Sequence, residues 1–150
     1  IKTFTQKVDW KNLDFLIVDM PPGTGDTQLT FSQEIKMDGA IIISTPQEIA
    51  LLDVKRGIKM FDKLGVKILG LVDNMSFFTG DDGKKYKIFG EGDVKKTSEE
   101  FKKEFLGEIP INSKVGECGD DGKPIVEAYP DHEISRIYLS FAKKIKSAYL

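Results

Sequence analysis

Cysteine is almost missing from this 150-residue chain, where Cys118 stands alone. One thiol excludes an intramolecular disulfide and fits a reducing compartment. Long apolar runs are missing too. None nears the roughly 20 residues that a membrane span requires, and residues 1–4 do not open a signal-peptide hydrophobic region. Neither charge is in excess: 22 Lys and Arg stand against 24 Asp and Glu, for a formal net charge of -2. No long-range field therefore draws in nucleic acid or an anionic membrane. The one histidine, His132, has no partner at a catalytic spacing, which assigns it to a cap or to the surface. What is present is a 40% share of apolar residues, enough for one globular domain with a sizeable core. The expectation is a single soluble, cytoplasmic domain over 1–150. An opening Ile in place of Met points to a trimmed or incomplete product.

Along the chain, strands and helices are expected to alternate. Phe15-Leu16-Ile17-Val18 is a continuous apolar run, as in a strand buried on both faces. It ends at Asp19, after which Pro21-Pro22-Gly23-Thr24-Gly25 forbids regular structure. Asp26 is placed to cap a helix through Leu29 to about Met37. Ala40-Ile41-Ile42-Ile43 reads as a second buried strand. Over 48–64, Leu51, Val54, Ile58 and Phe61 step by three and four, which predicts an amphipathic helix stopped by Gly65. A third strand is expected over 66–72, an exposed loop or hairpin over 79–92, and a charged helix over 93–104. A fourth strand over 105–109 ends at Pro110. A polar stretch then leads to a last helix over 131–149, with Ile134, Ile137, Tyr138, Phe141 and Ile145 on one stripe. Its Lys143, Lys144 and Lys146 lie opposite that stripe, in the ordinary pattern of a helix packed on a sheet. Such an order predicts an α/β fold: a mostly parallel sheet with helices on both faces, joined by right-handed crossovers.

In such sheets ligands bind beyond the carboxyl ends of the strands, and three motifs fall there. In Asp19-Met20-Pro21-Pro22-Gly23-Thr24-Gly25-Asp26, a carboxylate at a strand tip suits Mg²⁺, and the glycines let backbone N–H groups approach a phosphate. A rigid turn whose acid caps the next helix satisfies the same residues. In Val72-Asp73-Asn74-Met75-Ser76, the Asn74 amide offers a donor and an acceptor to a base edge, though Asn also forms turns at strand ends. In Glu108-Ile109-Pro110-Ile111, the proline and its apolar neighbours are able to stack on a base or simply to end a strand.

Together these strings resemble Mrp-type P-loop ATPases of the MinD/ParA class, an iron–sulfur cluster carrier family. Residues 14–30 are similar to the family's switch II segment and residues 44–61 to its next strand–helix unit. The strings 74–78, 88–92, 106–110 and 122–126 continue the likeness in family order. The resemblance implies a P-loop NTPase-like sheet and an ATP-dependent cluster carrier that works as a homodimer and delivers to iron–sulfur apoproteins. It implies Asp19 as the switch II acid that meets Mg²⁺ through water, and Gly23 at the γ-phosphate. Asn74 would read adenine, and Pro110 and Ile111 would line the base pocket. Asp26, Gln47, Asp53 and Arg56 would belong to the switch and dimer face.

Two departures qualify the likeness. The family's Lys-Gly-Gly-x-Gly-Lys-Thr loop and its strand have no counterpart in these residues, so Asp19 and Gly23 alone cannot hold a triphosphate. No ATPase activity is expected of this chain by itself. The strand lost with that loop would lie between 15–18 and 40–43, and its absence predicts rearrangement or self-association rather than an open slot. The Cys-x-x-Cys pair that many members carry after the Asn is also absent, replaced by Phe78-Thr79-Gly80-Asp81-Asp82-Gly83. Cluster carriage thus rests on kinship. A non-catalytic partner-binding pseudo-ATPase and a MinD/ParA-type positioning ATPase stand as alternatives.

Overall fold

The computed structural model describes residues 7–20, 31–32 and 34–149. Its elements in chain order are β1 (Ala40–Ser44), α1 (Glu48–Lys63), β2 (Ile68–Asn74), β3 (Phe78–Thr79) and β4 (Lys85–Tyr86), then α2 (Val94–Glu100), β5 (Phe105–Ile109), α3 (Ser113–Asp120), α4 (Ile125–Ala128) and α5 (Glu133–Tyr149). The strands β1, β2 and β5 form one parallel sheet with β2 in the middle, and β3 and β4 form a separate antiparallel hairpin. Ile43 lies opposite Val72, Ser44 opposite Asp73, and Asn74 opposite Ile109. The carboxyl ends of all three strands therefore lie side by side.

The near-continuous apolar run of β2 suits a strand covered on both faces. Successive side chains alternate between the faces, and the two cores follow that alternation. Leu71 packs with Val54, Ile58 and Phe61 of α1 and Val94 of α2. Val72 packs with Leu106, Ile109, Cys118, Ile125, Ile134 and Phe141. Helices thus cover both faces of β2, as expected of an α/β sheet, but β1 is not the buried strand expected, since Ile41 and Ile43 (63% exposed) face solvent. The stop of α1 is local chemistry. Gly65 adopts φ 71°, which lets its N–H reach Asp62 O while the Val66 N–H reaches Phe61 O at 2.9 Å, a Schellman closure. At the start of α2 the Asp93 carboxylate accepts from the Lys96 N–H at 2.7 Å. His132 acts as a cap, its Nδ1 accepting from the Ile134 N–H at 3.2 Å. The α5 stripe packs on the sheet, and Lys144 turns back to the Leu106 carbonyl at 3.3 Å.

Three further expectations need correction. Residues 15–18 are not a buried strand: they carry no regular structure, and Phe15, Leu16, Ile17 (86% exposed) and Val18 all face solvent. A parallel strand exists only where a neighbour takes its backbone hydrogen bonds. Among the described residues β1 is paired by β2 alone, and the strand that would join 15–18 to β1 has no counterpart in the sequence. The polar stretch after Pro110, for which the sequence predicts no element, holds α3 and α4. The Asn112 side chain caps α3 by accepting from Lys114 N–H at 3.0 Å, and burial of Cys118 and Ile125 outweighs the poor helix propensity of its glycines. The charged helix over 93–104 is shorter, ending at Glu100, with Lys102 at a left-handed φ of 54°. Of the helix expected through Leu29 to about Met37, residues 31, 32 and 34 are helical, 35–37 are not, and 21–30 and 33 lie outside the described residues.

Two glycines give a paired test of this packing. A Cβ on Gly92 would fall on the Pro46 carbonyl, whereas one on Gly57, within α1, would meet nothing. Gly92→Ala is expected to cost about 1–3 kcal/mol through backbone displacement. Gly57→Ala is expected to add about 0.5–1 kcal/mol. Urea unfolding of the two variants checks both signs, and equal effects would contradict the packing of the 90–93 loop on β1's exit.

Candidate functional site

The site begins where β2 and β5 end. Their pairing continues past the strands: the Ser76 N–H donates to Ile109 O at 3.1 Å, and the Ile111 N–H to Phe77 O at 2.7 Å. These bonds draw Asn74, Pro110 and Ile111 to one edge of the sheet. Met75 sits at a φ of 55°, and Asn74 Oδ1 accepts from its N–H at 3.1 Å. This side-chain bond steadies a tight turn and leaves the Asn74 NH₂ donors for another partner.

The other sequence-predicted residues lie elsewhere. Asp19 is exposed, in a stretch without regular structure, though the next residue, Met20, packs against the α1 core. Gly23 and Asp26 lie outside the described residues. Gln47 precedes α1 without capping it through its side chain, and its Oε1 accepts from Thr45 Oγ1 at 3.2 Å. Asp53 and Arg56 form an exposed ion pair at 3.0 Å on α1. Such a pair contributes little to stability, so both groups are free to exchange partners. An amide and a proline thus stand on adjoining strand ends. Among the described residues no cluster of acids is built that could hold Mg²⁺.

One residue escaped the sequence reading. Asp73 closes an otherwise apolar strand and is 7% exposed. Its Oδ1 has no hydrogen-bond partner among the described residues. Burial pushes its carboxyl up to about 6, Glu108 and Asp93 add to the rise, and Lys87 opposes it. A charged residue one place before the end of an apolar run was the signal that could have found it.

Residues 1–146 match the ParA family profile described as the NUBPL iron-transfer P-loop NTPase. The chain belongs to that family. The iron–sulfur cluster carrier protein of Synechocystis is 46% identical over 97% of this chain, and that of Aquifex aeolicus 43% over 93%. The mouse iron–sulfur cluster transfer protein NUBPL is 43% identical over 97%. The chain spans only 39%, 42% and 46% of the Aquifex, Synechocystis and mouse proteins. Among solved structures, a nucleotide-binding protein of Archaeoglobus fulgidus in complex with ADP superposes with a TM-score of 0.73 at 40% identity, over 81% of this chain and 51% of that one. The cell division ATPase MinD of Pyrococcus furiosus shares the fold, with a TM-score of 0.60 at 20% identity over 74% of this chain and 43% of its own. Membership in the P-loop family agrees with the parallel sheet. Among the described residues no helix is long and apolar enough to cross a membrane.

The raised Asp73 pKa sets a pH dependence whose sign follows from linkage. Unfolded, the group titrates at its ordinary 3.8; folded, it titrates at about 6. Between those values the folded chain holds the extra proton, so the group's contribution to stability falls as pH rises and levels off above about 6. The full penalty is at most about 3 kcal/mol. Asp73→Asn removes it. The variant should be more stable than the parent at pH 7.5 and should lose that advantage by about pH 4. Denaturation midpoints across that range test this, and a pH-independent difference would contradict it.

Proposed function

We propose that this chain supplies the adenine side of the nucleotide site in an ATP-dependent iron–sulfur cluster carrier that acts as a dimer. The observation that carries this reading is the convergence of Asn74, Pro110 and Ile111 on adjoining strand ends, within a chain whose family profile covers 146 residues. The free Asn74 NH₂ is suited to an acceptor on the purine edge, and Pro110 with Ile111 offers an apolar surface to its face. The phosphates and Mg²⁺ fall to a glycine-rich, lysine-bearing loop that these residues do not contain. By the family resemblance Asp19 and Gly23 would complete that half. Asp26, Gln47, Asp53 and Arg56 would report the nucleotide state to the partner subunit.

The cluster is cargo, and its transfer to apoproteins is the task that the relatives' names describe. Iron–sulfur clusters are commonly held by four thiolates. This chain has one thiol, Cys118, buried in the core between β5 and α5. Two copies would bring two buried sulfurs, which supports nucleotide sensing rather than cluster ligation as this segment's share of the work. A second reading, a non-catalytic partner-binding module, gains from the exposed Ile41 and Ile43 on β1. A membrane-acting MinD/ParA role gains nothing from α5, whose apolar stripe is spent on the sheet.

Two outcomes are expected. Adenosine and ATP should bind this chain with affinities within about threefold of each other, because only the base is held. Asn74→Ala should weaken both by about tenfold, one hydrogen bond's worth, and no ATP turnover should be seen. Calorimetric titration measures this, and ATP binding far tighter than adenosine would refute a base-only site. Anaerobic incubation with ferrous iron and sulfide should leave the chain without a visible charge-transfer band, and Cys118→Ser should behave identically. A stoichiometric band lost in that variant would overturn the reading of Cys118.

A further inference from the structure

The second face of the sheet carries a cavity that the nucleotide reading does not use. Strand alternation sends Asp73 to the side of Leu71 and Asn74 to the side of Val72. The two neighbours therefore serve opposite faces. On the Asp73 side lies a cavity of about 530 Å³ lined by Pro46, Asp73, Ser76, Lys87, Gly92 and Glu108, among others. That size suits a small-molecule group rather than a bare ion.

Its inner wall presents acceptors, buried at Asp73 and Ser76 and exposed at Glu108. Asp73 is more than nine-tenths buried, and its Oδ1 is unpartnered among the described residues. Glu108 lies opposite it on β5. Ser76 Oγ spends its proton on the Ile109 carbonyl at 3.3 Å, which leaves its lone pairs. Among the described residues no cation is hydrogen-bonded to this wall, although Lys87 acts on Asp73 through space. Lys87 is paired to Glu91 at 2.9 Å, and Lys85 sits 3.9 Å over the Phe77 ring. A buried carboxylate without donors is costly, and Asp73 lines the cavity, although its Oδ1 is itself shut off from solvent. A metal ion is the poorer occupant. Among the described residues no group of three or more His, Cys, Asp or Glu side chains converges as metal ligands would. A guanidinium brings five N–H donors in a planar fork that matches a carboxylate.

We propose that this cavity binds a guanidinium group, which donates to Asp73 and Glu108. The group could belong to a free arginine-like molecule or to an arginine of another polypeptide. The Lys85, Lys87 and Lys95 side chains at the exposed rim would favour the free form by meeting its carboxylate.

The test is amide NMR of the ¹⁵N-labelled chain at pH 7.5, titrated with L-arginine, with N-acetyl-arginine amide, and with citrulline, which has the shape without the charge. Saturable shifts are expected at Asp73, Ser76 and Gly92 with the two arginine probes. Citrulline should bind at least tenfold more weakly. Asp73→Asn, expected to fold at least as well as the parent, should lose at least tenfold in arginine affinity, and Glu108→Gln should lose less. Tighter binding of L-arginine assigns the site to a small zwitterion, and tighter binding of the blocked form assigns it to a polypeptide side chain. The proposal is overturned if neither arginine probe gives saturable shifts, if citrulline matches arginine, or if Asp73→Asn binds as the parent does. None of these readouts involves nucleotide, so failure here leaves the adenine-side reading standing.

Discussion

The whole arrangement hangs on the double pairing of β2. Its backbone hydrogen bonds are taken on one edge by β1 and on the other by β5, and its side chains feed the cores on both faces. Because all three strands run the same way, their carboxyl ends are forced together. The polar residues at those ends become neighbours although they are far apart in sequence. Burial does most of the stabilising work, with Ile58, Leu71 and Ile134 all withdrawn from solvent. The ion pairs lie mostly at the surface, where each contributes little.

From this pairing come two chemically different edges one residue apart. Asn74 faces the core of α3, α4 and α5 and carries a neutral amide already half engaged with Met75. Asp73 faces α1 and α2 and carries a carboxylate whose Oδ1 has no hydrogen-bond partner among the described residues. A single-residue slip of β2 would exchange the two, and Gly92, pressed against Pro46, helps fix the loop that roofs the Asp73 side. The position of these groups is a consequence of register, and their chemistry is a consequence of what each face lacks.

Much of this was legible beforehand where local and tertiary signals agreed. The period of three and four in α1, Gly65 as its stop, and the apolar runs of β1, β2 and β5 all appear within a few residues of their expected places. Asn74 and Pro110 were visible as strand-end residues, and His132 as a cap. The first apolar run misled because its hydrophobicity reports a tendency to be buried, not the presence of a strand to pair with. Among the described residues, 15–18 have no such neighbour. The helices after Pro110 were hidden by glycine-rich composition, which tertiary burial of Cys118 and Ile125 overrides. Asp73 went unremarked because its neighbour Asn74 carried the more familiar motif, and no periodicity tells which face of a central strand lacks donors.

Native-state hydrogen exchange on the chain addresses the central pairing most directly. With β2 bonded on both edges and β1 on only one among the described residues, the β2 amides should exchange only through global unfolding. Alternate β1 amides, pointing to the unpaired edge, should exchange faster by orders of magnitude. If every amide of β1 were as slow as Leu71 and Val72, the outer edge would be occupied, and a sheet of three strands centred on β2 would be the wrong description.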